Sequence, residues 1–310
     1  MAKQLHITNG DSFTAVLQKL PIEGEIITWR EMLCEGKTTS DVGSESFWRI
    51  RFDYLNKLYK VSKSTFIDAT LKEYRSLCNH KVEEEIILWF EYDVFCQINM
   101  IAVISWLKKH RPYATVHLVC SGKEDNTKKL YGLSELTEEK VLELYKKKIE
   151  LTRDDIEYAD YLWQLYCSDN PIRLELALKH NKSQFKYLDD ALKSHILRFP
   201  SVENGLNDLE NHVLQLANTG KITRQEALVA KVLKDQKNYG FGDLQFHKMI
   251  TDLKPLFSSL NPVKLAEIGQ SVLQKKQNVY PLFRNEDAYL GGAPKYAFLY
   301  HEGSDKLLKL

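Results

Sequence analysis

The chain has 310 residues, 44% of them hydrophobic and 27% charged, with 43 Lys and Arg against 42 Asp and Glu. That length accommodates about two domains with a sizeable core, and the charge balance excludes both a polybasic, nucleic-acid-coating protein and an acidic disordered tail. An aromatic content of 11% excludes a low-complexity chain.

No apolar run approaches the roughly 18–20 residues needed to span a bilayer, so no membrane partner is expected. The opening MAKQLHITNG has no apolar signal core. Cys34, Cys78, Cys96, Cys120 and Cys167 never form C-x-x-C, which argues against a disulfide framework or a structural zinc site. These features together predict a cytoplasmic protein.

The first third alternates between strand and helix patterns. Gln4 to Thr8 reads as a strand broken by Asn9-Gly10-Asp11-Ser12, after which Phe13, Val16, Leu17 and Leu20 recur at helical spacing up to Pro21. Glu25 to Trp29 is a second strand, ending in the polar Arg30-Glu31. Residues 44–60 carry one apolar stripe through Phe47, Ile50, Tyr54, Leu55 and Leu58. Glu85 to Glu91 is apolar on both faces, as a central parallel strand requires. Asp93 can cap a following helix with Phe95, Ile98, Ile101, Ala102, Ile104 and Trp106, and Thr115 to Cys120 is a fourth strand. This order predicts an α/β domain over residues 1–125, Rossmann-like, with a mostly parallel sheet.

A polar stretch over 122–134 reads as a linker, and residues 134–200 read as a helical region. Its helix starts are Thr137, Thr152 with Asp155, and Asn170-Pro171; a last helix runs from Gln184 to Phe199. In residues 201–310, Asn207 with Glu210 and Thr223 with Glu226 form capping boxes, and a third helix leads from Asp243 to Pro255. Val279 to Phe283 and Lys295 to Tyr300 read as two strands of a hairpin. Three helices followed by a hairpin predict a winged-helix-like domain.

Ligands of open parallel sheets bind outside the carboxyl ends of the strands. Those ends carry Asp11 and Ser12, Arg30 and Glu31, Glu91 and Asp93, and Ser121 with Gly122. Carboxylates gathered there would raise one another's pKa, hold a cation or pair with Arg30. The plainer alternative is that the strands end in polar loops, with Asp11 and Asp93 as helix caps.

No motif specifies a cofactor. Gly10 stands alone, so no dinucleotide fingerprint follows the first strand, and Gly36-Lys37-Thr38 lacks the earlier glycine of a phosphate loop. Separate predicted helices carry His180, His195, His212 and His247, without metal-ligand spacing.

Gly10-Asp11-Ser12 resembles the first block of the GDS-type lipases and esterases, which would make Ser12 the nucleophile of a serine hydrolase. Asp208 to His212 is one residue too long for that family's Asp-x-x-His, and the activating base is therefore missing.

The C-terminal part raises a nucleic-acid reading. Between Lys221 and Lys276 ten Lys and Arg face five Asp and Glu, yet the presumed recognition helix offers only Lys248 and neutral side chains. A structural or partner-binding winged helix is favoured over a DNA reader.

Leu5 to Ser12, Trp29-Arg30-Glu31 with Glu35-Gly36, and Trp89 to Asp93 through Cys96-Gln97 resemble the bacterial family called domain of unknown function 1835. Phe199-Pro200-Ser201, Asn204-Gly205-Leu206, Glu210 and Leu290-Gly291-Gly292 resemble its C-terminal half, although Lys37 stands where that pattern has proline. The resemblance implies no established activity. It marks Asp11, Arg30, Glu31, Glu91, Asp93 and Gln97 as positions of interest. The leading expectation is a small polar ligand at the sheet's carboxyl edge, with nucleotide-derived molecules among the candidates; a ligand-sensing DNA-binding regulator is the alternative.

Overall fold

A computed structural model describes residues 3–80, 85–123, 129–180 and 183–310. Residues 124–128 of the expected linker lie outside them.

The first strands and helices are β1 (Gln4–Asn9), α1 (Asp11–Leu17), β2 (Glu25–Trp29), the two-residue β3 (Gly36–Lys37) and α2 (Glu45–Tyr59). Next come α3 (Lys63–Phe66), α4 (Lys72–Asn79), β4 (Glu85–Phe90), α5 (Val94–His110), β5 (Thr115–Cys120), α6 (Glu138–Lys146) and β6 (Ile149–Glu150). The main sheet runs β2-β1-β4-β5-β6; its first four strands are parallel and β6 is an antiparallel edge.

β4 shows why this sheet is central. Ile86, Leu88 and Phe90 join the large core on one face, while Ile87 and Trp89 join Phe13, Leu17 and Val141 on the other. Period-2 alternation with both faces apolar requires helices on both sides. Trp89 donates its indole N–H to His6 Nδ1 at 3.0 Å, so even the polar edge of that face is satisfied. α5 is buried nearly all round, from Val94 to Leu107, because it lies between the sheet and α7 (Arg153–Tyr166).

The chain then continues as α8 (Pro171–Ala177), α9 (Leu188–Ile196), α10 (Asp208–Asn218), α11 (Gln225–Asp235) and α12 (Asp243–Asp252). Asn170, Thr152 and Asn207 cap their helices as expected, the last two in capping boxes. The Thr223–Glu226 box does not form: Arg224 takes the N-cap position of α11 and makes no side-chain cap bond.

A hairpin of β7 (Phe257–Leu260) and β8 (Val263–Leu265) follows, then α13 (Glu267–Leu273) and α14 (Tyr280–Phe283). Here the structure departs from expectation. Within Val279 to Phe283 the chain forms a helical turn from Tyr280, whose N–H donates to Asn278 Oδ1 at 2.9 Å, and it pairs with no strand. The expected partner segment instead forms β11 (Phe298–His301), which pairs with β12 (Lys306–Lys309), after β9 (Tyr289–Gly291) and β10 (Ala293–Pro294). β9 pairs in parallel with β3, matching Gly36 to Leu290 and Lys37 to Gly291. That pairing ties the C-terminal third to the segment following β2. Among the described residues, no helix is long and apolar enough to cross a membrane.

Candidate functional site

The carboxyl edge of the sheet does not gather its polar residues into one crevice. Arg30 turns outward, its Nη2 2.7 Å from the exposed Asp11 carboxylate and its Nη1 3.1 Å from Glu73 on α4. Ala69 supplies a carbonyl to the same guanidinium at 2.9 Å. Asp11 is thus an ion-pair partner in the first turn of α1; Gly10 takes the cap position, and Ser12 is exposed beside it.

Glu31, the next residue after Arg30, turns inward. Its carboxylate accepts from Arg51 Nε at 2.9 Å, with both side chains fully buried. Arg51 also donates to the carbonyls of Met32, Glu35 and Lys37, which shapes the loop leaving β2. Burial raises the Glu31 pKa despite the guanidinium beside it. These bonds take Glu31 out of any open site.

Glu91 and Asp93 form a third, separate group at the end of β4. Asp93 caps α5 by accepting from the Cys96 N–H at 2.8 Å, and Glu91 accepts from the Leu133 N–H at 2.7 Å. Gln97 reaches back to the Glu91 carbonyl at 2.6 Å, fixing the strand-to-helix turn. Donor atoms of Glu91, Asp93 and Cys96 lie within 4.8 Å of one another. Burial first, and the neighbouring Asp93 charge second, push Glu91 up to about 7; burial pushes Asp93 up to about 6. The group is closely roofed. A Cβ at Gly240, whose φ is +69°, would sit 2.2 Å from the Asp93 carboxyl carbon, and one at Gly132 would meet Glu91 at 3.0 Å. These side chains can hold a proton between them or accept a cation, but each already satisfies a backbone group.

A wider opening lies elsewhere. A cavity of about 600 Å³ runs from Glu35 and Gly36, in the segment after β2, beneath α10, α12 and residues 282–296. Glu35 Oε2 accepts the hydroxyls of Tyr54 at 3.2 Å and Tyr59 at 2.6 Å on one wall. The opposite wall holds Lys295, paired with Glu210 at 2.9 Å. Burial opposes charge on Lys295, and the Glu210 carboxylate more than offsets it, so its pKa is raised. Arg198, Gln245, Lys248, Arg284, Asp252 and Asp287 are also among its polar lining residues.

Sequence reasoning missed most of this wall. Glu35, Gly36 and Glu210 stood among the residues of the family resemblance, but Arg198, Gln245 and Lys295 carried no local signal. Their only common property is a place in the folded chain.

No family model matches the chain, and no curated protein matches it in sequence. Among solved structures, the DNA-binding, cleavage and re-ligation domain of Plasmodium falciparum topoisomerase II is similar at a TM-score of 0.46 and 13% identity. The likeness covers 81% of this chain and 42% of that one, so the chain spans less than half of that protein's length. A likeness of that degree fixes neither fold nor activity.

Proposed function

We propose that this chain binds a small polar ligand in the cavity where the segment after β2 meets the C-terminal third. One observation carries the reading: an opening of about 600 Å³ is walled by charged and phenolic side chains from segments far apart in sequence. That volume falls within the ~300–1,000 Å³ of small-molecule sites. The parallel order β2-β1-β4-β5 supports a Rossmann-like N-terminal part. Five free cysteines support a reducing, cytoplasmic setting. Kinship with the domain-of-unknown-function 1835 family rests on the residues quoted above and adds no activity.

The test is a thermal-shift screen with nucleosides, nucleotides, sugars and amino acids on the wild type and on Met249→Trp, which places an indole in the cavity wall and obstructs it. The reading predicts stabilisation of the wild type by at least one class and none of the variant. Equal responses in both proteins would refute it.

A second reading, DNA binding by the C-terminal part, draws on the order α10, α11, α12 and then the hairpin β7–β8, which supports a winged helix. Against a reading role for α12, its Gln245, Lys248, Met249 and Asp252 line the cavity, and Lys248 is held by Asp252 at 2.6 Å. Mobility shifts on genomic fragments at physiological salt should show no specific complex; one in the range of about 10⁻⁸ M would establish the second reading.

A further inference from the structure

Two buried arginines and a half-buried lysine stand in the cavity region, and they differ in how their charge is met. Arg51 has Glu31 and Lys295 has Glu210. Arg198, only 6% exposed, has neither. Its guanidinium donates from Nη1 to the Cys34 carbonyl and lies over the Phe241 ring, 5.0 Å from the centroid. Among the described residues no carboxylate lies within 4.0 Å of it, and neither Nε nor Nη2 makes a hydrogen bond. An arginine cannot relieve burial by losing its proton. The unbonded nitrogens of Arg198 are not sealed from solvent, and the residue lines the cavity, so an anion entering there can meet its charge directly.

Gln245 supplies an independent observation on the same cavity. It is 5% exposed, and its Oε1 accepts from the Gly242 N–H at 2.8 Å. Its Nε2 is buried with no partner among the described residues. The residue lines the same cavity as Arg198, and its amide end carries two unused N–H donors. Both vacancies are donor vacancies, and one carries positive charge.

We propose that Arg198 and Gln245 form an oxyanion subsite of this cavity, receiving the carboxylate or phosphate group of a small ligand. The proposal rests on the cavity being the ligand site and adds the chemical class of what it takes. A guanidinium offers a planar fork of N–H groups that matches two oxygens of either anion, and charge-assisted bonds of this kind are stronger than neutral ones. The Phe241 ring beneath the fork keeps water from one face of it.

The experiment is calorimetric titration at low salt with inorganic phosphate and with acetate, on the wild type, Arg198→Met and Gln245→Glu. Gln245→Glu keeps the oxygen that caps Gly242 and replaces the donor with a repelling charge, so it tests the subsite even if Arg198→Met does not fold. At least one anion should bind the wild type saturably, and each folded variant should bind it at least tenfold more weakly. The stronger of the two anions distinguishes a phosphate from a carboxylate ligand. Absence of binding by both anions, or equal binding by wild type and variants, overturns the subsite. Uncharged and methylammonium fragments, read by fluorotyrosine NMR of the cavity tyrosines, separate the two levels. If they occupy the cavity while the anions do not, only the subsite fails; if nothing occupies it, the cavity reading fails as well.

Discussion

Replacing Glu31 by Gln tests whether the loop after β2 depends on a buried ion pair. Glu31 is 1% exposed and Arg51 0%, and Nε meets the carboxylate at 2.9 Å. Removing one partner of a buried pair costs about 3–5 kcal/mol, because the other charge remains buried. Here the guanidinium keeps three carbonyls, at 2.7, 2.9 and 3.1 Å, and the glutamine oxygen can still accept from Nε. The cost should therefore fall near the lower end, about 3 kcal/mol. Urea unfolding of the wild type, Glu31→Gln, Arg51→Met and the double variant Glu31→Leu/Arg51→Met measures it. Both single variants should be markedly destabilised; the double variant leaves no unpaired charge but strips the carbonyls of Met32, Glu35 and Lys37 of their donor, so it should recover only part of the loss. A loss below about 1 kcal/mol in Glu31→Gln would show that the charge is not dehydrated in the way the argument requires.

The outward-facing residue beside it should behave differently: Asp11→Asn breaks an exposed pair while Glu73 and Ala69 still hold Arg30, so its cost should stay within about 1 kcal/mol and shrink in high salt, as paired thermal melts can check. Glu91 is raised from 4.5 to about 7 in the fold, so the native state holds more protons than the unfolded one across that interval, and this contribution to stability is full below it and lost as pH rises through it. Glu91→Gln should match the wild type near pH 4 and exceed it by about 3 kcal/mol near pH 8, in urea titrations at the two pH values. Gly240→Ala combines a left-handed backbone with a methyl placed 2.2 Å from the Asp93 carboxyl carbon, and should destabilise by more than about 2 kcal/mol. An unchanged urea midpoint would mean that the 238–240 loop can lift away from α5.

The N-terminal strands were legible because each is a short apolar run ended by polar or turn residues, and β4 alone showed that both faces are covered. Asp93 was legible as a cap because its role is local. Residues 63–79 carry Phe66, Ile67, Leu71, Tyr74, Leu77 and Cys78 at helical spacing, so α3 and α4 were legible there, although the expected elements omit them. Val279 to Phe283 misled because a five-residue apolar run carries too few turns to separate strand from helix. At the sheet edge the positional rule located the right residues but not their directions. Arg30 and Glu31 are adjacent in sequence, yet one bonds outward to Asp11 and the other inward to Arg51. The partners that decide this, Glu73 and Arg51, lie tens of residues away and leave no mark on the local pattern. The cavity was illegible for the same reason, since Glu35, Arg198, Gln245 and Lys295 meet only after the chain has closed on itself.

The pairing of Gly36-Lys37 with Leu290-Gly291 also bears on how the protein is made. On a ribosome the segment after β2 emerges early, and its partner strand emerges some 250 residues later, roughly 10–50 s at ordinary rates of synthesis. Throughout that interval the wall carrying Glu35 has nothing opposite it, and the binding cavity is among the last features to exist. A nascent chain stalled before residue 289 should therefore bury its central sheet while remaining unable to bind, and a truncation there would separate folding of the sheet from formation of the pocket.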